Sequence, residues 1–244
     1  MKFDPDANNH LTKTPSGAGN RRTFTLSYWI KESGKGTSPY NNPHILWSGT
    51  GTATRGGFAH RGTGSDAGKL YLFNQESNST NCQVWTNSLH RDFSAWKHIV
   101  LAVDTTQATS TDRVKIYING TQETLTFSTT PAENLQLQIN IAQVHQIGRG
   151  TPDDYGNYYL SQPYFIDGQA LGPESFGYTD PLTNTWRPKK YTNTTESLQP
   201  ITTAPTLSNG ALIIKAKGNS IGGLFESSSG NMNFHSSSDG ISWT

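Results

Sequence analysis

Between Arg22 and Lys31 the chain alternates with a period of two. Phe24, Leu26, Tyr28 and Ile30 fall on one side, and threonine and serine fall on the other until Trp29. Successive side chains of a strand point to opposite faces, so this stretch is predicted to be a half-buried strand. Val114, Ile116 and Ile118 repeat the pattern against Lys115 and Tyr117, and Asn119-Gly120 supplies the two positive-φ residues of a tight hairpin. His44–Gly49 and Lys69–Gln75 read as short strands between glycine-rich turns, and a continuous apolar run spans Ile99–Val103. The segments His145–Gly150 and Tyr159–Gly168 add two more. A helical period is nearly absent. Its one signal is Gly172-Pro173-Glu174, a capping glycine, a proline suited to the first helical position and an acid at the positive end of the helix dipole.

The 244 residues suffice for one large β domain or two smaller ones, and 24 glycines with only 15% charged residues suit many short strands joined by turns. A formal net charge of +1 gives no electrostatic footprint for nucleic acid or an anionic membrane. Cys82 is the only cysteine, so no intramolecular disulfide forms. The start, MKFDPDANNHL, lacks the apolar stretch of a secretory signal, and the chain is expected to be made as a soluble cytosolic product. No apolar run approaches membrane-spanning length.

From about Thr192 the pattern changes to a Thr/Pro-rich stretch, read as a linker or extended arm. Strand-like ALIIKAKG and NMNFHSSSDGISWT come after it, with Asp239-Gly240 as a turn. The last strand is expected to be short, or to complete another subunit's sheet.

The residues argue against several chemistries. Glycoside hydrolysis needs two carboxylates at a fixed separation. Here Glu32, Glu76, Glu123, Glu133, Glu174, Glu196 and Glu226 are scattered, mostly beside turns. Asp4, Asp6 and Asn8 match the first ligands of a calcium loop, but Asn9 stands where the loop needs glycine and Pro15 where it needs glutamate. Ser48–Gly57 is glycine-rich without a following helix, so it reads as a hairpin and not a phosphate cradle. His98 reads as a packed, hydrogen-bonded residue, Trp29 and Trp96 as core, and Trp186 as a pin between the body and the C-terminal segment. The leading site candidate is the loop GRGTPDDYGNYY. Asp153, Asp154 and Asn157 offer oxygen ligands, and Tyr155, Tyr158 and Tyr159 offer stacking faces, the combination that carbohydrate sites use. The plain alternative is an exposed loop whose tyrosines pack locally.

Three stretches in order, FTLSYWIK, AWKHIVLAVDTTQATSTDRVKIYINGTQ and HQIGRGTPDDYGNYYLSQPYFIDGQALGPESFG, resemble the laminin-G-like branch of the concanavalin-A-like lectin/glucanase jelly rolls. SAWKHIVLAVDTTQAT, YFIDGQALGPESFG and TWRPKKYT resemble the version carried by structural proteins of tailed bacteriophages. The resemblance covers about residues 1–192. After TWRPKKYT the chain departs from that version, and the last residues carry nothing over. It implies an all-β fold, a jelly-roll sandwich of two antiparallel sheets over residues 1–191, followed by a linker and extended C-terminal β arm over 192–244. No cofactor and no metal ligand set is expected; the resemblance leaves room only for a calcium ion at the sandwich rim, which domains of this kind can hold. The implied function is a non-enzymatic structural protein at the surface of a phage virion: a tail fibre, head fibre or capsid decoration, its jelly roll an adhesion or assembly module. The alternatives are a glycan-binding receptor lectin of the tail and, behind it, a polysaccharide depolymerase. The expected partners are other virion proteins, copies of itself in a homo-oligomer (a trimer) and host-surface glycan, with neither nucleic acid nor membrane.

Overall fold

The computed structural model describes residues 1–33, 44–62, 64–150 and 155–192, together with the backbone of three later strands. The chain forms two units, Met1–Thr192 and Asn193–Thr244.

The first unit is an all-β jelly-roll sandwich of two antiparallel sheets. One sheet has six strands in the spatial order β1 (Lys2–Phe3), β13 (Tyr158–Asp167), β3 (Thr23–Glu32), β8 (Lys97–Asp104), β9 (Val114–Ile118) and β10 (Thr121–Gln122). The other has seven, ordered β11 (Leu125–Thr129), β7 (Ser79–Thr86), β6 (Leu70–Glu76), β5 (Arg55–His60), β4 (His44–Gly49), β12 (His145–Ile147) and β2 (Leu11–Lys13). Chain ends and the middle of the sequence thus pair side by side, as long crossovers between packed sheets require. A separate hairpin, β14 (Gly177–Asp180) and β15 (Thr185–Pro188), comes after the last sandwich strand. The second unit carries a three-stranded antiparallel sheet of β16 (Ala211–Ile214), β17 (Gly223–Ser228) and β18 (Asn231–Ser236). The Thr/Pro-rich stretch and the Asp239-Gly240 turn lie outside the described residues.

The alternation read from the sequence is the alternation of the core. Phe24, Leu26, Tyr28 and Ile30 point between the sheets with Ile99, Leu101 and Val103 of β8, opposite Phe58, Leu70, Leu72, Cys82 and Val84. Burial pushes the Cys82 thiol up to about 12, which leaves it an inert core atom. The β9–β10 turn has Asn119 and Gly120 at φ of 48° and 83°, as the dipeptide predicts.

The other face of β3 differs from expectation. Thr25 and Ser27 are as buried as the apolar set, because the chain after β13 folds back over this side of the six-stranded sheet. Thr25 Oγ1 donates to the carbonyl of Gln169 at 2.7 Å and accepts from the Leu171 amide at 2.8 Å. Pro173–Ser175 forms one short 3-10 turn with proline at its start, which delivers Phe176 into a cluster with Tyr164 and Tyr191. Trp96, expected in the core, is 42% exposed, since it precedes β8 instead of belonging to it.

His98 holds this covering. Its ring lies between Trp29 and Trp186, with ring centres at 5.1 and 5.9 Å. Trp186 Nε1 donates to His98 Nδ1 at 2.9 Å, and Ser27 Oγ sits 2.9 Å from Nε2. An indole only donates, so Nδ1 is the acceptor and the ring proton is on Nε2, directed at Ser27. Burial pushes the imidazole down to about 4 from its ordinary 6.5. Between those values the unfolded chain takes up a proton that the folded chain refuses. Stability contributed here therefore falls as pH drops from 6.5 to about 4, by about 3 kcal/mol, and is level below that window. Thermal unfolding followed against pH should show a shallower loss over this window for His98→Gln than for the parent chain. Equal slopes would show that the imidazole is not held neutral.

Candidate functional site

The loop between β12 and β13 is closed by the Gly156 amide donating to the Gly148 carbonyl at 2.8 Å and by a bridge between Arg149 and Tyr155. Tyr155 is partly exposed, with the Arg149 guanidinium 5.3 Å from its ring centre and the His10 ring at 6.1 Å. Asn157 is partly exposed, and its carbonyl accepts from the Ser33 amide at 3.0 Å. Asp153 and Asp154 lie outside the described residues. Tyr158 corrects the sequence reading. It opens β13 on the inward register with Leu160, so its ring is fully buried against Phe3 at 5.0 Å and its hydroxyl donates to the His44 carbonyl at 3.0 Å. Burial also raises its phenol pKa. Tyr158 is therefore a core residue and offers no stacking face; of the described candidates, Tyr155 and Asn157 stay partly exposed and Tyr159, the next residue of β13, is 40% exposed. Among the described residues no three His, Cys, Asp or Glu side chains are grouped to hold a metal ion.

A second cluster is not apparent from the sequence. Glu32 ends β3 on the inward register and meets His60, which ends β5 on the facing sheet: Glu32 Oε1 and His60 Nδ1 are in direct contact. Tyr28 Oη lies 3.3 Å from His60 Nε2. Lys97 donates to the His90 carbonyl at 3.2 Å, and His90 Nε2 faces Glu123 Oε2 at 3.5 Å. Burial, the largest single influence, would raise the Glu32 carboxyl; His60, Lys97 and His90 together outweigh it and hold the group below its ordinary value. The alternation continuing past Ile30 and past Phe58 is the signal that could have found it. Glu32, His60 and Lys97 are all buried, so the cluster seals one end of the core and presents nothing to a substrate. Replacing Glu32 alone by leucine strands a buried histidine and should cost about 3–5 kcal/mol, whereas Glu32→Leu with His60→Leu should recover most of that. Chemical denaturation of the two variants checks this; equal losses would show that the pairing does not matter.

Two surface hollows lie nearby. One, about 210 Å³, is lined by Asp104, Asp112, Lys115, Tyr117 and Leu171. The other, about 310 Å³, is lined by Val114, Glu123, Leu125 and Phe127. Asp104 already accepts from Thr23, Thr106 and Gln107, Asp112 is paired with Lys115 at 3.3 Å, and Glu123 is turned to His90, so all three carboxylates are engaged within the chain.

The outward face of the seven-stranded sheet is different. Strand register sets Thr126, Trp85, Tyr71, Ala59 and His44 in one row, and Gln83, Phe73, Gly57, Trp47 and Gln146 in the next. The rings form a continuous string: His44 to Phe73 at 5.8 Å, Phe73 to Tyr71 at 5.7 Å, and Tyr71 stacked on Trp85 at 4.4 Å. The small residues of β5 make it possible, for a methyl group at Gly57 would lie 2.9 Å from Phe73 Cε1. Arg55 lies over the Phe73 ring at 5.8 Å and donates from Nε to Gln75 at 3.3 Å. Trp85, Phe73, Arg55, Gln75 and Gln83 are each partly exposed. Each ring is legible singly in the sequence; only pairing across four strands joins them.

No protein-family model and no curated protein matches the chain. Among solved structures it is similar to the heptameric SAP-like pentraxin of Limulus polyphemus, at 18% identity, over 66% of this chain and 70% of that one, with a TM-score of 0.45. It is similar to domains LG4-5 of the mouse laminin alpha1 chain, at 10% identity, over 79% of this chain and 44% of that one, TM-score 0.47. It is similar to CG-16, a homodimeric agglutinin from chicken liver, at 12% identity, over 64% of this chain and 99% of that one, TM-score 0.38. These are jelly-roll domains of the concanavalin-A-like and laminin-G-like kind.

Proposed function

We propose that the chain is a non-enzymatic adhesion protein at the surface of a tailed-bacteriophage virion, and that its jelly roll binds carbohydrate through the outward face of the seven-stranded sheet. The observation that carries the binding is the ring string ending in the Tyr71–Trp85 stack, where Trp85 is partly exposed and edged by Gln83 and Thr126. An aromatic face covers the apolar side of a sugar ring, and neighbouring amides and hydroxyls match its hydroxyl groups. The virion assignment rests on the phage-like wording of residues 1–192. The absence of a reaction is supported by the engagement of Glu32 and Glu123 with histidines. The partly exposed Tyr155 and Asn157 are a second, rim position at which a glycan can be met. Copies of the chain associate as a homo-oligomer, which multiplies weak sugar contacts.

The full chain, screened on an array of bacterial surface polysaccharides, should bind a subset, and Trp85→Ala should weaken that binding at least about tenfold without altering the fold. Binding that survives Trp85→Ala unchanged would remove this face from the site. Release of reducing ends from any bound polysaccharide would replace adhesion by depolymerisation. Antibody labelling of purified particles tests the virion: particles without the chain would sink that part.

A further inference from the structure

The outward face of the seven-stranded sheet holds an unanswered donor. Trp47 points outward from β4 beside Gly57, is only 5% exposed, and its Nε1 is buried without a hydrogen-bond partner among the described residues. A buried N–H left unpaired has given up its water for nothing, so a fold that keeps one invites an acceptor from outside. A cationic side chain stands next to it. A methyl group at Gly49 would lie 2.9 Å from Arg55 Cβ and 3.0 Å from Trp47 Cζ2, so the arginine stem and the indole meet over that glycine. Cζ2 belongs to the ring edge that also carries Nε1. Arg55 is partly exposed and is held by one bond, from Nε to Gln75, which leaves both terminal nitrogens without an acceptor among the described residues. Its neighbours on this face are Gln75, Phe73, Gly57 and Gly49, none of them acidic; Glu76, the next residue along β6, falls on the opposite side by alternation.

We propose that Trp47 Nε1 and the Arg55 guanidinium form a binding site for a carboxylate, so that the sheet face takes acidic polysaccharide in preference to neutral. This deepens the carbohydrate-binding reading above and rests on it. The guanidinium turns outward to take the anion, its short tether to Gln75 gives way, and the opened edge of Trp47 supplies a further donor. A planar carboxylate accepts from both in the manner of an arginine fork. The ring string beside the pair carries the sugar that bears the acid.

The test uses the full chain and three polymers: polygalacturonate, its carboxyl-reduced form and dextran sulfate. Titration calorimetry should show polygalacturonate binding at least about tenfold more tightly than the reduced polymer, with the advantage shrinking as salt rises. Trp47→Phe, which keeps a ring and removes the N–H, and Arg55→Gln, at a partly exposed position, should each cut that advantage severalfold and leave the reduced polymer within about twofold. The ¹⁵N-indole signal lost in Trp47→Phe should move in the parent chain on adding sodium glucuronate. Equal binding of charged and reduced polymers would overturn the carboxylate site while carbohydrate binding stands. Tighter binding of dextran sulfate than of polygalacturonate would overturn the carboxylate in favour of a sulfate. A moving Trp47 signal with no polymer bound would keep the anion site and sink the carbohydrate reading. A still signal with no polymer bound would sink both.

Discussion

The contact on which the rest of the sandwich depends is the one between His98 and Trp186. A sheet in a two-layer fold has an inner face that the partner sheet covers and an outer face that water or something else must cover. In the six-stranded sheet the outer face is made of Thr25, Ser27, Trp29, His98, Val100 and Ala102, and all of these but Trp29 are buried. The chain's own return path from Gly168 to Tyr191 buries them, and that path is fastened where the indole N–H of Trp186 meets an imidazole that only accepts at Nδ1. The ring of Trp186 also lies on Gly120 and Gly177, two positions where a side chain would push it away. A neutral histidine in this place carries a cost: it gives two directed hydrogen bonds and two ring stacks, and its protonation would remove one of those bonds.

That fastening creates the asymmetry from which the functional reading grows. One outer face is closed by the chain itself and is rich in hydrogen bonds that lead back into the same chain. The other outer face, on the seven-stranded sheet, carries rings packed against one another over the small residues of β5. Both faces are aromatic, yet they differ in how their polar atoms are used. On the closed face the His98, Thr25 and Trp186 polar atoms have partners, and Trp29 Nε1 is the exception. That indole lies under the imidazole of His98 as one layer of a ring stack. On the open face the unpaired donor of Trp47 meets an arginine stem across Gly49. An unpaired buried donor calls for an explanation, and the proposed anion site supplies one: the donor and the guanidinium beside it would share an acceptor that the described residues do not provide.

Much of the sandwich is legible in the sequence, because a strand needs only its own alternation to declare itself. Phe24 to Ile30, Val114 to Ile118 and the Asn119-Gly120 turn are read locally and stand as read. The covering of a face is not local. Thr25 and Ser27 look like surface residues until the Gly168–Tyr191 return covers them, and Trp96 looks like core until it falls one residue outside β8. Tyr158 shows the same limit within the predicted site. In the run Tyr155-Gly-Asn-Tyr158-Tyr159 the tyrosines are alike in type, but the strand begins at Tyr158, and one-residue alternation sends Tyr158 inward and leaves Tyr159 40% exposed. Strand β7 escapes a reading of the sequence although it alternates, because its inward residues Cys82, Val84 and Thr86 are small and its large Trp85 points outward. The Glu32–His60 pair escapes it because a charge at an inward position reads as the end of a strand, when here it is the plug of the core.

The aromatic string is the least legible feature and the one on which the proposed function turns. Its members, His44, Phe73, Tyr71 and Trp85, come from three strands, and β4 is separated from the β6–β7 hairpin by all of β5. Each alone is an ordinary strand residue. They become a surface only because β5, between β4 and β6, places Gly57 and Ala59 outward where large side chains would have kept the rings apart. The same device recurs at the end of β4, where Gly49 lets Trp47 and Arg55 meet. Glycine inside a strand weakens it, since it adds backbone entropy to be lost and no side chain to pack. Two such positions on adjacent strands of one face, each roofed by an aromatic ring, fit a sheet in which intrinsic strand stability was traded for the shape of its outer surface.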